Sequence, residues 1–157
     1  MADQRGFTLI EFAILLGILG ALTAVLFAAL NPVARFREAR DAKRWSDAQN
    51  ILKAIKADQT NNGGSYMQSV SELEADVSYQ IGTAKEGCDT GCGNQTTAPS
   101  CANLVNLVSE HYMTAVPFDA KFGNVERTNY FIIRHASGAL EVGACNPEST
   151  DDISVMR

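Results

Sequence analysis

The strongest pattern in the chain is a run of apolar residues near its N-terminus. Residues 7–30 are almost wholly apolar, and Thr8, Glu11 and Thr23 are the polar interruptions. At about 1.5 Å per residue, a helix over these positions is long enough to cross the ~30 Å hydrocarbon core of a bilayer. The pattern therefore predicts a transmembrane helix. A carboxylate inside such a span costs on the order of 2.5–3.5 kcal/mol, so Glu11 requires a partner.

The helical pattern continues beyond this run. No glycine or proline follows Pro32 until Gly63, and apolar positions recur at helical spacing, which predicts one buried stripe. That stripe consists of Trp45, Ala48, Ile51, Leu52 and Ile55. Because proline removes one backbone hydrogen bond, we expect Pro32 to kink the helix rather than end it. The prediction is one helix from about Phe7 to Asp58, apolar all round in its first half and amphipathic in its second.

The remainder has the pattern of a small α+β domain. The β-branched run at 129–135, the turn at 136–139 and the run at 140–145 predict an antiparallel hairpin packed on the long helix. Residues 102–113 predict a second short amphipathic helix, and Ser71 is a candidate N-cap. We expect the acidic segment after residue 145 to be mobile or to lie at a subunit boundary.

Four cysteines follow the membrane helix, at Cys88, Cys92, Cys101 and Cys145. They predict two disulfides formed in an oxidising compartment. A zinc site is less favoured, because the C-x2-C pairs and the nearby histidine of zinc sites are missing. Three connectivities are open, and we favour a bridge from Cys145 back to the loop that holds the other three.

The distribution of charge bears on whether the chain binds nucleic acid, lipid or other subunits. Arg35, Arg37, Arg40, Lys43 and Arg44 form a basic stretch after the membrane helix. A nucleic-acid patch is one interpretation, but the net charge of −5 and the acidic residues Glu38 and Asp41, which can pair with basic residues a turn away, favour a solvated helix face or a contact with lipid headgroups. Contact with acidic surfaces of neighbouring subunits is a third.

The sequence does not indicate an enzyme. His111 and His135 stand alone in their segments, and the chain has no G-x-S-x-G, P-loop or H-E-x-x-H motif. We therefore expect neither catalytic residues nor a cofactor.

The residues before the apolar run carry a family resemblance. A secretory signal peptide is cut after its apolar part, whereas here R-G-F-T-L-I-E (5–11) resembles the processing site of type IV prepilins and pseudopilins. The resemblance implies a leader of residues 1–6, cleavage between Gly6 and Phe7, and N-methylation of Phe7. It also implies that Glu11 acts in assembly, by pairing with the Phe7 amine of a neighbouring subunit.

The same resemblance implies a pilin-like α+β fold. Residues 7–30 would form the transmembrane and polymerisation helix, 31–58 its amphipathic continuation, and 59–157 the exported globular domain with its disulfide-stapled loop. V-P-F-D (116–119) resembles the proline and aspartate that precede the final strands in many pseudopilins. Asp119 is thereby a weak candidate calcium ligand, and a turn-capping role is favoured.

The function implied is that of a structural subunit of a type IV pilus-like filament, serving adhesion, motility or DNA uptake. The implied partners are other copies of the chain, the prepilin peptidase, a platform protein and an assembly ATPase. The subunit would sit in the inner membrane with a cytoplasmic N-terminus and then join an extracellular filament. The alternatives are a pseudopilin of a type II secretion system and a membrane-anchored binding domain that never polymerises.

Overall fold

The structure is a computed structural model that describes residues 6–157. It divides after Arg37 into two compact parts. We call the part up to Arg37 the N-terminal unit and Glu38–Arg157 the folded unit.

The N-terminal unit contains helix α1, Leu9–Leu30, which is 22 residues long. Its stretch Leu9–Ala29 is long and apolar enough to cross a membrane, and none of its most apolar 18-residue window is buried by residues 6–157. The structure thus has the membrane-length helix that the apolar run predicts.

The helix does not continue unbroken, so the prediction of one helix to Asp58 is wrong. Helix α1 ends at Leu30, and α2 spans Pro32–Asn61. Between them Asn31 has left-handed backbone angles, φ 39° and ψ 70°. Proline disfavours a right-handed helical conformation in the residue before it but is well suited to the first position of a new helix. Asn31 also accepts hydrogen bonds from the Ala34 N–H through its carbonyl (3.0 Å) and its Oδ1 (3.4 Å), so it begins the second helix.

Helix α2 supplies one wall of the hydrophobic core of the folded unit. The predicted stripe is confirmed for Ala48, Ile51, Leu52 and Ile55, all of which are buried. It is wrong for Trp45, which is 37% exposed. The buried position one turn before Ala48 is occupied by the charged residue Arg44. Helix α2 buries four charged residues: Asp41, Arg44, Asp47 and Asp58.

The other wall is a four-stranded antiparallel sheet in the order β1-β2-β3-β4. The strands are β1 (Ser78–Gln80), β2 (Tyr130–Arg134), β3 (Leu140–Ala144) and β4 (Ser154–Met156). The predicted hairpin is confirmed as β2 and β3, with Ile132 opposite Val142. Of the two alternatives for the acidic tail, the mobile one is wrong, because β4 pairs with β3 and because Leu140 and Arg157 exchange two backbone hydrogen bonds of 2.9 Å. A place at a subunit boundary stays a prediction.

Two helical turns complete the folded unit, and both differ from the prediction. Helix α3 is Gln68–Ser71, so Ser71 closes this helix instead of capping its start. Helix α4 is only Asn106–Ser109, whereas the sequence predicts a helix from residue 102. The backbone of Ala102 instead donates to the carbonyl of Gln80, 2.9 Å away, and so extends the sheet edge.

The cysteines form two disulfides, Cys88–Cys101 and Cys92–Cys145. The second bridge joins the end of β3 to the loop after β1, which is the connection that the sequence favours. The observed architecture is therefore an α+β fold with a long apolar N-terminal helix, a small antiparallel sheet and two disulfides.

Candidate functional site

The first turn of α1 holds the carboxylate that the sequence singles out. Thr8 is the N-cap, and its Oγ1 accepts a hydrogen bond from the Glu11 N–H, 3.3 Å away. Glu11 Oε2 in turn accepts from the Thr8 N–H (2.8 Å) and from the Thr8 hydroxyl (2.7 Å). This reciprocal pair is a capping box, and the carboxylate lies at the helix N-terminus, where the helix dipole favours negative charge. The spacing T-x-x-E already indicates the box, although assembly alone was expected to explain Glu11.

Beyond this turn, α1 presents apolar side chains that no described residue covers. Glu11 lies at one end of a shallow groove along the helix surface, lined also by Ile14, Leu15, Ile18 and Leu19. Of the predicted processing residues, Gly6 and Phe7 are exposed, Phe7 by 80%. The remainder of the predicted leader, residues 1–5, lies outside the described residues.

A second site that sequence reasoning missed is a cluster of buried charges around Arg44. This side chain is 2% exposed, and each of its three guanidinium nitrogens donates to a different carboxylate. Nη1 donates to Asp41 (2.6 Å), Nη2 to Glu148 (3.0 Å) and Nε to Asp119. Full pairing of this kind makes a buried charge tolerable.

The outer members of the cluster fix two loops to α2. Arg40 donates twice to Glu148, at 2.6 Å each, and the Lys121 ammonium lies 2.9 Å from the same carboxylate. Asp41 accepts from the backbone N–H groups of Glu148 and Ser149. The cluster therefore ties the turn after residue 118 and the segment after β3 to the first turns of α2 in the folded unit.

The carboxylates of the cluster have perturbed acidities. Burial by itself raises the pKa of Asp41, but hydrogen bonds from Ser149 and Arg44 outweigh it and hold that pKa below its usual value. For Asp119, burial is likewise outweighed by Arg44 and by two backbone N–H donors, so its pKa is also lowered. The hydrogen bonds from Arg40 lower the pKa of Glu148 most strongly. All three groups are thus held in their charged forms.

These contacts revise the interpretation of the basic stretch and show the turn-capping role favoured for Asp119. The basic stretch is not simply a solvated helix face, because Arg44 is buried and Arg40 is paired with Glu148, while Arg37 is exposed. Asp119 caps a turn, since its Oδ1 accepts from the Lys121 N–H (2.8 Å) and the Phe122 N–H (2.9 Å). Within residues 6–157, no group of three or more histidine, cysteine, aspartate or glutamate side chains is arranged to hold a metal ion.

The two histidines lie apart from these sites. The ring of His135 lies between two carboxylates, with Nδ1 3.2 Å from Asp76 and Nε2 3.0 Å from Glu141. His111 is exposed and has a left-handed backbone, φ 65°, just after α4. His135 therefore links the turn before β1 to β3.

No protein-family model matches the chain, and no curated protein or solved structure is significantly similar to it.

Proposed function

We propose that the chain is a structural subunit of a type IV pilus-like filament, assembled through α1. The observation that carries this proposal is the combination in α1 of an uncovered apolar surface with one carboxylate held at its first turn. An α+β chain with a long apolar N-terminal helix, a small antiparallel sheet and two disulfides is compatible with a pilin-like fold. Packing of α1 helices from several copies would remove their apolar side chains from contact with water.

The geometry of Glu11 suits a role in such a bundle. Both donors within the capping box bind Oε2, so among the described residues Oε1 remains available to a further donor. After cleavage behind Gly6, the α-amino group of Phe7 on a neighbouring copy is a cationic donor of suitable charge. Since a buried charge is costly unless it is paired, this contact would set the register in which each copy docks.

The pathway follows from the family resemblance. The subunit is inserted in the inner membrane with its N-terminus in the cytoplasm, is trimmed by the prepilin peptidase and is then extracted into an extracellular filament. A platform protein and a cytoplasmic ATPase drive that extraction.

The decisive test is the intact mass of the native protein from membranes and from sheared surface fibres, with and without reduction. We expect a species that lacks residues 1–6, is one methyl group heavier and gains the mass of four hydrogens on reduction of its two disulfides. A chain that still starts at Met1 or Ala2 would identify a plain membrane anchor and would end the filament proposal.

Two substitutions of Glu11 separate its charge from its capping role. Glu11→Gln removes the charge but retains a side chain that can complete a capping box, whereas Glu11→Ala removes both. We expect both variants to reach the membrane and to form few or no fibres, as judged by sheared-fibre yield. Thr23→Val is a matched control, because it removes from α1 only a hydroxyl that donates to the Leu19 carbonyl (2.7 Å).

Normal fibre yield from Glu11→Gln would refute the pairing with the Phe7 amine. Normal yield from both Glu11 variants would show that assembly needs neither the charge nor the capping role of Glu11, whereas a wild-type chain absent from fibres would favour an anchored binding domain that does not polymerise. A secretion pseudopilin gives the same mass result and is distinguished by loss of secreted proteins, not of surface fibres, when the gene is deleted.

A further inference from the structure

One edge of the four-stranded sheet, that of β1, is covered by the chain itself. The Ser78 carbonyl accepts a hydrogen bond from the Ala98 N–H (2.8 Å), and the Gln80 carbonyl accepts one from the Ala102 N–H (2.9 Å). A covered edge is not available for pairing with another chain. A strand added to this sheet therefore has to join β4.

The opposite edge, that of β4, is open. The residues that flank β4, Ile153 and Arg157, form backbone hydrogen bonds of 2.9 Å to β3. Because the direction of backbone groups alternates along a strand, Val155 also faces β3, whereas Ser154 and Met156 face away from it. Among residues 6–157, no backbone group pairs with the N–H and C=O groups of these two residues. Two residues of a strand span about 6.8 Å, which is the spacing at which an added strand presents its own N–H and C=O groups.

A groove lies beside this open edge, between β4 and α2, and we call it the edge groove. Its volume is about 240 Å³, and its apolar lining residues are Leu52, Val155 and Met156. Since a dry cavity of about 150 Å³ is enough to bind benzene, the edge groove has room for one large apolar side chain. An open edge strand beside such a groove is the arrangement in which extended peptides bind. The backbone hydrogen bonds of the edge give affinity, and the groove selects a side chain.

The charged residues that line the edge groove are all cations, namely Lys53, Lys56 and Arg157. None of the three contacts a carboxylate among the described residues, and the Lys56 ammonium donates to the uncharged side chains of Gln59 (3.2 Å) and Tyr66 (2.5 Å). The folded unit as a whole has ten Lys and Arg against sixteen Asp and Glu, a net charge of −6. The edge groove therefore combines three cations without acidic partners on a unit that is otherwise acidic.

The nearest carboxylates do not cancel this charge. Asp47 and Asp58 lie within two residues of lining residues on α2, but both are buried. Glu141 lies opposite Met156 in the sheet, and its carboxylate is 3.0 Å from His135. The edge groove thus presents positive charge to solvent, which favours an acidic partner.

We propose that the β4 edge binds an extended acidic peptide segment of a partner protein, which joins the sheet as a fifth, antiparallel strand. The peptide backbone pairs with Ser154 and Met156, one apolar side chain enters the edge groove, and acidic residues contact the three cations. Asp152 precedes β4 and Arg157 follows it, so the acidic residues of the partner lie towards the end of β4. A free anion would satisfy the cations but not the backbone groups. The contact uses no residue of α1, so it holds whether or not the chain forms a filament.

Binding of synthetic peptides to the full chain in detergent tests this contact. The probe is fluorescein-labelled EEVTLTVEE, whose apolar residues share one face of a strand. If these residues lie on the face of Val155, the threonines lie opposite Ser154 and Met156, and their N–H groups point at β4. The two control peptides are KKVTLTVKK and EEVTLTVEE with both threonines N-methylated.

We expect saturable binding of the probe, followed by fluorescence anisotropy, and at least about tenfold weaker binding of both control peptides. The net charge of −5 on the chain would by itself favour the lysine peptide. Tighter binding of the acidic probe therefore reports the local charge of the edge groove. Weaker binding of the N-methylated peptide reports the backbone pairing.

Variants of the chain locate the binding. Met156→Pro removes the outward N–H without removing a hydrogen bond to β3, and proline is tolerated on edge strands. It should weaken probe binding at least about tenfold, whereas Met156→Val, which retains the N–H, should stay within about threefold of wild type. Lys53→Glu should weaken binding at least about tenfold. Its matched control, Lys85→Glu, changes an exposed cation outside the edge groove and should stay within about twofold.

Each other outcome is decisive. The absence of saturable probe binding, equal binding of either control peptide, or wild-type affinity of Lys53→Glu would overturn the proposal. Near-UV circular dichroism shows whether Met156→Pro is folded, and probe binding that survives in the folded variant would also overturn it. If Met156→Pro does not fold, the N-methylated peptide and the two lysine variants decide.

A second copy of the chain is the other occupant to be tested. Sedimentation of the full chain in detergent, over a range of protein concentrations, should show no association that depends on the β4 edge. A dimer that Met156→Pro or Lys53→Glu disrupts would mean that the edge pairs with another copy, and the proposal of an acidic peptide partner would fall.

Discussion

Helices α1 and α2 follow each other in the chain but distribute polar and apolar residues in opposite ways. Helix α1 exposes leucines, isoleucines and phenylalanines along its whole length, and its one carboxylate is bonded within its own first turn. Helix α2 buries Arg44 and three aspartates in the interior of the folded unit. In a water-soluble protein, hydrophobicity alone would predict that the apolar side chains of α1 are buried and that the charged side chains of α2 are exposed.

The difference shows where each helix obtains its stability. The apolar surface of α1 is stabilised by whatever replaces water around it, which under our proposal is first a bilayer and then other copies of α1. The charges of α2 are stabilised by partners inside the same chain. Changes in α1 should therefore act on insertion and assembly, and changes in the buried face of α2 on folding.

The largest effect should come from removing the centre of the charge cluster. Arg44→Ala leaves Asp41, Asp119 and Glu148 close together without their shared cation. Breaking a buried pair in this way typically costs about 3–5 kcal/mol. Chemical denaturation of the full chain in detergent, followed by near-UV circular dichroism, would measure the loss. Lys53→Ala is the control on an exposed position of α2 and should change the free energy of unfolding by less than ~0.5 kcal/mol.

The two disulfides should differ in what they contribute to the folded unit. The Cys92–Cys145 bridge spans 53 residues and Cys88–Cys101 spans 13. Loop-closure entropy then predicts about 4 kcal/mol for the first and about 3 kcal/mol for the second. Paired Cys→Ala variants, compared by denaturant midpoint, would test this order. A larger loss for Cys88–Cys101 would contradict it.

One substitution made in both helices tests the comparison directly. Leu52 is 6% exposed in the core, so Leu52→Ala should destabilise the folded unit by about 2–5 kcal/mol. Leu22 is 57% exposed in α1, so Leu22→Ala should leave the unfolding midpoint of the folded unit unchanged. A shift with Leu22→Ala would mean that α1 contributes to the stability of that unit.

Acid should weaken the folded unit through its charge cluster. The pKa values of Asp41, Asp119 and Glu148 are lowered on folding, from unfolded values of about 3.9 for Asp and about 4.3 for Glu. A lowered carboxyl pKa contributes stability above the unfolded value, and this is lost as the pH falls through the folded value. The melting temperature should therefore be insensitive to these groups at neutral pH and fall below about pH 4.

Asp119→Asn should make that acid dependence shallower, because one fewer proton is taken up on unfolding. Asp151→Asn, at an exposed carboxylate, should leave it unchanged. Equal slopes for wild type and Asp119→Asn would show that the cluster does not set the acid sensitivity.

The parts of the fold that the sequence predicts are those with a local period. The apolar run of α1 and the β-branched alternation of β2 and β3 identify their own elements without reference to distant residues. The break at Asn31 was also signalled locally, since Pro32 disfavours a helical residue before it. The prediction of one helix to Asp58 is wrong because it gives the continuous helical pattern on both sides of Pro32 more weight than the effect of the proline itself.

The rest depends on partners far away in sequence. The helical spacing places Arg44 on the face of Ala48 and Ile51, but it does not indicate how a buried charge is paired there. Its three carboxylates come from residues 41, 119 and 148, and the last two are brought to it only by the fold. Strands β1 and β4 have three residues each, and their pairing with longer neighbours defines them. The conformation of Ala102 is likewise set by the edge of the sheet and not by the helical spacing around it.

The distance in sequence between Arg44 and Glu148 has a consequence for biosynthesis. More than a hundred residues separate them, so Arg44 leaves the ribosome long before that carboxylate exists. Folding dominated by such remote contacts is slow, because the entropy of closing a long loop is lost before the contact between its ends stabilises the chain. Under the proposed membrane insertion and export, the chain passes through a period in which α1 is already in the membrane and the folded unit lacks its last strand. A chaperone or protease on the exported side would encounter the protein in that interval, and the arrival of Glu148 and β4 would end it.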